Sequence, residues 1–420
     1  MNRKKKKNTA AKASLNIKQQ ELGLKARFTE RVTQILACYG GDDLVARVPA
    51  IYIDKLFEHR YPVLKAKAAP GSTIPKSKIV QFNKLLYKFM EDLHVPLGNG
   101  NKVPLSWYVS EGVMLLDAMY QLAEANDPQD EPIVKFFRPY FPDTPDYIET
   151  QEQLYELLYD TVRFLNDYNE NIFQLDTQNS ACFEQFHPGN DILLHAFKPK
   201  TVSIPVKEGL HTVKRLGWLT PDLEWEEVKV KPSALGFKTG TLDIPLDVYV
   251  QLHALERLKE RINITPGIMH EILFLIFVQP EIEHCWHKGA CLVTYRVSNE
   301  KAGYCVVKLH EDKLVVHTFL FLTNDDTPEG DRLKNLVEIE RADKKYMQID
   351  NLPEFNAYHI EKNERVAQLF REAGCGSLLK LGHLQEFSLN QVKDKDPESI
   401  LAYLADASYF RKELPENQEA

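Results

Sequence analysis

Residue patterning alone makes this chain an α+β protein of several domains: a helical N-terminal domain, a β-rich segment, a β-α-α-β-β-β module and a helical C-terminal segment. From Phe28 to about Asn171 apolar residues recur at three- and four-residue spacing, which is the signature of one buried helix face. Between about Lys198 and Pro245 that spacing gives way to short β-branched or aromatic runs broken by Pro, Gly and Asp. The chain's 420 residues, 44% hydrophobic and 27% charged, have globular composition and length for two or three domains. The implied boundaries are a basic disordered tail at 1–27, a helical domain at 28–195, a β-rich connecting segment at 196–245, the α/β module at 246–323 and the helical segment at 324–420.

The tail carries nine basic residues against Glu21 alone, a net charge of +8, while the whole chain has 52 Lys and Arg against 60 Asp and Glu, a net charge of −8. Residues 28–420 therefore carry −16, which is −8 less the tail's +8. An acidic body argues against broad sequence-independent grip on nucleic acid, which needs an extended positive surface. Lys4, Lys5, Lys6 and Lys7 are the one run suited to phosphate contacts. The tail lacks the apolar stretch of an export signal. The longest strongly apolar run, ILFLIFV at 272–278, falls far short of a membrane span, so no membrane partner is expected. Six scattered cysteines without a CxxC pair point to free thiols in a reducing cytoplasm.

In the helical domain the patterned segments are 28–40, 79–93, 110–125 and 150–167. Gly40 and Gly41 punctuate the first, Pro75 and Pro96 flank the second, and Thr150 is placed as the N-cap of the fourth. In the β-rich segment Thr220–Asp222 suits a turn between GWL and LEW, which predicts a hairpin. The module reads as a strand at 248–252, a helix at 254–262, a second helix started by Thr265 and Pro266, and strands at 291–297, 303–310 and 313–322. Beyond Thr323 helices are expected at 363–374 and 397–410.

Chemistry concentrates on the first helix of the module. At 100° per residue Leu255, Leu258 and Ile262 share one face, and His253, Glu256, Arg257, Glu260 and Arg261 share the other. His253, Arg257 and Arg261 stand at i, i+4 and i+8, so they form one row. Two guanidiniums in a row suit a phosphate clamp, and a neighbouring imidazole can move a proton at neutral pH. The same residues also suit a solvated face in which Glu256 and Glu260 pair with the arginines.

The segment HALERLKERI, followed by a second helix and three strands, resembles the RelE/ParE-like toxin superfamily, above all its members with a His-Ala-x-x-Arg-x-x-x-Arg helix. The resemblance spans residues 246–323. It implies an αβ sandwich in which His253, Arg257 and Arg261 match the motif helix, and in which Lys308, His310 and His317 stand where this fold places basic or acid/base side chains. Some members of the superfamily cleave RNA. Such RNases are usually basic, whereas residues 247–323 hold eight Lys and Arg against nine Asp and Glu. That balance, together with the position inside a longer chain, favours a descendant that kept the fold and changed or lost the activity.

Six of the thirteen histidines fall within 253–317, and EIEHCWHKGAC at 281–291 contains candidate zinc ligands, but their spacing matches no finger or ribbon, so no metal and no cofactor are expected. GxGxxG, GxSxG and HExxH motifs are absent, and GNGNK at 98–102 lacks the Ser or Thr of a P-loop. Three readings follow. In the first the module serves protein interaction or scaffolding. In the second it is an RNA-directed enzyme whose catalytic face is His253, Arg257, Arg261, Lys308 and His310. In the third the tail binds nucleic acid. RNA and protein are the partners these readings imply.

Overall fold

The computed structural model describes residues 2–97, 100–141, 144–179, 190–206, 209–220, 222–238, 243–389, 392–405 and 407–411, with the backbone alone for 2–18, 178–179, 206, 387, 408 and 411. The chain divides into two compact units, residues 1–162 with 175–195, and residues 163–174 with 196–420.

The first unit is built mainly from helices: α1 (Asn2–Arg47), α2 (Ala50–Glu58), α3 (Lys76–Asp92), α4 (Leu105–Trp107), α5 (Val113–Ala125), α6 (Glu131–Val134) and α7 (Pro145–Arg163). The strand β1 (Lys65–Ala68) runs parallel to β5 (Asn190–Phe197) in a three-stranded sheet completed by β4 (Ile172–Asn179), and β2 (His94–Pro96) pairs with β3 (Lys102–Pro104). Phe82, Leu86 and Met90 of α3, and Leu115 and Met119 of α5, recur at four-residue spacing and are buried, as the apolar periodicity requires. Three local features differ from the residue pattern. Gly41 takes a positive φ of 66°, but the helix resumes and ends at Arg47. The fourth helix starts at Pro145, so Thr150 lies inside it, its hydroxyl donating to the Asp146 carbonyl at 2.8 Å. The backbone of α1 begins at Asn2 and takes in residues read as a disordered tail, a stretch rich in the helix formers Lys, Ala, Gln and Leu. The side chains of Lys4, Lys5, Lys6 and Lys7 lie outside the described residues.

The second unit contains β6 (Thr201–Val206), β7 (Gly209–Arg215), β8 (Gly217–Leu219), β9 (Trp225–Glu227), β10 (Lys229–Val230), β11 (Leu246–Gln251), α8 (Leu252–Ile262), α9 (Pro266–Val278), β12 (His284–His287), β13 (Ala290–Val297), β14 (Glu300–His310) and β15 (Lys313–Phe321). Its remaining helices are α10 (Pro328–Val337), α11 (Arg341–Tyr346), α12 (Leu352–Asn356), α13 (Glu364–Glu372), α14 (Glu398–Tyr403) and α15 (Ser408–Arg411). The large sheet runs β12-β13-β14-β15-β11-β7-β6, with β10 also on β11. The pair β11 and β15 is parallel and the other pairs are antiparallel. A parallel pair needs a crossover, and the two helices α8 and α9 lie within it.

The segments at 196–245, 246–323 and 324–420 are not separate bodies. β7 pairs with β11, so β6 and β7 extend the sheet of the module, while β8 and β9 form the expected hairpin around 220–222. Leu333, Phe355, Val366, Phe370 and Leu378 from beyond the module join Leu255, Leu258, Val316 and Phe321 in one core. The apolar surface of the module is therefore buried in common with these later elements. Its helix α9 begins with Thr265 and Pro266 as expected, although the Thr265 side chain makes no cap bond, and the strand β12 is an addition to the predicted order. Among the described residues no single helix is long and apolar enough to cross a membrane; α8 and α9 reach that length only as a pair bent by 117°.

Candidate functional site

Strand register decides whether the predicted catalytic face can assemble. Successive side chains on a strand point to opposite faces, and directly paired residues on neighbouring strands point to the same one. Val248 and Val250 of β11, and Leu314 and Val316 of β15, share a core with Ala254, Leu255 and Leu258, so α8 packs on that side of the sheet. Lys308 pairs with Val315 and His310 with Lys313, which puts both on the other side. There Val315 joins Tyr249, Val213 and Ile204 in a second, small cluster. The sheet therefore separates the α8 row from Lys308 and His310. The five residues predicted as one catalytic face do not come together.

The α8 row is itself divided. His253 is exposed on the first turn. Arg257 Nη1 donates to Glu260 Oε2 at 2.7 Å, the surface pairing that the helix spacing also allowed. Arg261 turns away from solvent: its Nη1 donates to the Asp350 carboxylate and, at 2.8 Å, to the Asp350 backbone carbonyl. The two side chains are only 12% and 9% exposed. The loop bearing Asp350 is fixed on both sides, since Thr323 Oγ1 donates to the Ile349 carbonyl at 2.7 Å and the Tyr358 hydroxyl donates to the Met347 carbonyl at 2.7 Å. Nη1 is thus committed to Asp350 twice over, and the guanidinium is mostly withdrawn from solvent, where a phosphate would approach.

On the opposite face of the sheet the structure assembles a cluster that residue spacing did not bring together. Val306 pairs with Thr318 and Val307 with Val316, so His317 is the extra residue of a β-bulge. The bulge turns its ring onto His310, with Nε2 of each 2.6 Å apart and the rings stacked at 4.8 Å. Burial first, then the charge of Lys308 and the neighbouring imidazoles of His310 and His211, lowers the pKa of His317 to about 4. Burial and Lys308 lower His310 as well, against Glu311. At pH 7 both rings are neutral, so one donates the N–H that the other accepts. His211, paired with Ile204 on β6, belongs to this same face. Among the described residues no group of three His, Cys, Asp or Glu side chains is placed to hold a metal ion.

The candidate ligands of 281–291 are dispersed. His284 contacts the Ile282 carbonyl at 2.9 Å, His287 Nε2 lies 2.6 Å from Asp331 Oδ2, and Cys291 is buried, its thiol directed at the Leu235 carbonyl. Burial opposes ionisation of Asp331, but hydrogen bonds from Lys288 and His287 overcome it and hold the carboxyl at about 2. Residues 363–374 end at Gly374, whose φ of 85° suits a helix stop.

No protein-family model, no curated protein and no solved structure matches this chain.

Proposed function

We propose that the protein acts by interaction and that the α/β module is framework rather than a nuclease centre. The order β11-α8-α9-β12-β13-β14-β15, with β11 parallel to β15, supports a RelE/ParE-like ancestry for residues 246–323. The observation that carries the non-catalytic reading is the placement of the two halves of the expected site on opposite faces of one sheet. Arg261, the residue best suited to complete a phosphate clamp, is occupied by Asp350. A near-neutral module in an acidic body adds to this, because RNA binding draws on positive charge. Incubating the full chain with single-stranded and structured RNA, with chelator present, tests the proposal. The expected result is no cleavage above that of a His253→Ala, Arg257→Ala variant. Cleavage by the parent chain that disappears in the variant would overturn it.

A further inference from the structure

The helical unit contains a cavity of about 310 Å³, at the small end of ligand-pocket sizes, between α1, α2, the 60–64 loop, α3 and the turn at 106–111. Phe28, Phe57, Leu64 and Met90 give it an apolar floor, and Arg27, Arg31 and Arg60 stand around it. Two of the three, Arg31 and Arg60, belong to residues 28–420, which carry −16, and Arg27 is the last of the nine basic residues before them.

Two of these guanidiniums are held in place. Arg60 lies over the Phe57 ring at 4.0 Å and donates from Nη1 to the Phe57 carbonyl at 2.7 Å. Arg31 lies 5.9 Å from the centre of the Trp107 ring and reaches Glu111 at 3.4 Å. Glu111 sits in a π-turn, Tyr108–Gly112, where the helix takes one wider turn. Such turns recur at functional sites because the extra residue re-aims side chains. Here Glu111 is buried and also accepts from the Ser110 hydroxyl, so it is engaged within the wall. Neither Arg27 nor Arg60 has a carboxylate partner at ion-pair distance among the described residues; Arg27 Nε only meets the Gly23 carbonyl, at 3.4 Å.

We infer that this cavity binds a small organic anion, an oxyanion head held by Arg27 and Arg60 with an apolar body laid on Phe28, Phe57, Leu64 and Met90. Guanidinium forks match the paired oxygens of carboxylate and phosphate alike, and a ring-stacked arginine keeps its fork oriented before the ligand arrives. The apolar floor sets the second requirement: a bare inorganic anion satisfies only half of the site.

Calorimetric titration of the full chain with octyl phosphate, octanoate, inorganic phosphate and octylamine tests it. Saturable binding is expected for octyl phosphate or octanoate, and whichever is tighter identifies the head group. Binding should weaken at least tenfold in an Arg27→Gln, Arg60→Gln variant, whose side chains are exposed enough to leave the fold intact, as checked by unchanged circular dichroism and Tm. Arg31 is left in place because it is tied to Glu111. Failure of both amphipathic anions to bind, affinity unchanged in the variant, or equal affinity for inorganic phosphate or for octylamine would each overturn the assignment.

Discussion

Arg261 of α8 donates two hydrogen bonds to Asp350, one to its carboxylate and one to its backbone carbonyl, joining the helix that carries the His/Arg motif to the loop before α12. The contact turns a candidate anion clamp into an internal tie, and the rest of the row stays at the surface. Arg257 and Arg261 look alike by helical position, yet their energetics should differ. Removing one partner of a nearly buried ion pair leaves the other charge stranded, at a cost of about 3–5 kcal/mol, whereas an exposed i, i+3 pair contributes under about 1 kcal/mol. Urea denaturation should accordingly show a large loss for Arg261→Ala and almost none for Arg257→Ala. Equal losses would contradict the assignment of roles.

Acid should weaken the second unit through His270. This ring is almost fully buried, with Nδ1 accepting from the Tyr168 backbone N–H at 3.0 Å, and burial foremost lowers its pKa to about 3. The unfolded chain, with an ordinary imidazole pKa of about 6.5, binds more protons than the folded one between these two values. Stability from this group is thus complete above about pH 6.5 and declines as pH falls towards 3, by up to about 1.4 kcal/mol per pH unit. Chemical denaturation at pH 7 and pH 5 should show a loss about 2 kcal/mol smaller in His270→Gln than in the parent. An identical pH dependence in both would refute the neutral buried ring.

Close backbone approach at two glycines should make them intolerant of alanine. A Cβ at Gly267 would overlap the Arg163 carbonyl oxygen and come within 2.8 Å of the Asn166 Cβ. At Gly330 it would overlap the Asn324 carbonyl and lie 2.8 Å from the Thr323 oxygen. Backbone cannot yield as a side chain can, so each substitution should cost about 1–3 kcal/mol or more. Gly382 has nothing within 4 Å of its Cβ position and is the matched control. Thermal unfolding that ranks Gly382→Ala with the other two would count against the packing described.

Thiol reactivity should separate the cysteines by burial. Cys291, Cys305 and Cys375 are buried, and desolvation above all raises each thiol to about 12, leaving almost no thiolate at neutral pH. Cys38 and Cys285 are partly exposed. Among the five cysteines of the described residues, iodoacetamide at pH 7.5 followed by peptide mass analysis should modify Cys38 and Cys285 first, with the other three labelled only after denaturation. Rapid labelling of Cys305 in the native protein would be incompatible with its place in the core.

Much of this was legible in the residues, and what was not has physical causes. The apolar stripe of Leu255, Leu258 and Ile262 predicted the buried side of α8, because helical periodicity is a local property. The alternation in GYCVVKLH also held the decisive clue: Val307 and Leu309 belong to the helix-covered face, so Lys308 and His310 must point away from it. Asp350 lies 89 residues beyond Arg261 and no local rule joins them. The His310–His317 contact depends on a bulge, which shifts register by one residue and leaves no mark in composition. The arginines of the helical unit were hidden for a related reason: Arg27, Arg31 and Arg60 meet only through the packing of α1 against the segment after α2.

A double-mutant cycle on Arg261 and Asp350 tests most directly whether the motif helix serves as framework. Unfolding free energies of the parent, Arg261→Met, Asp350→Leu and the double variant give the coupling between the two side chains. If Arg261 is a structural tie, the coupling should be about 1.5–3 kcal/mol, with the double variant more stable than the two single losses added together. Losses that add to within about 0.5 kcal/mol would show that the two side chains act separately and would contradict a structural role for the pair.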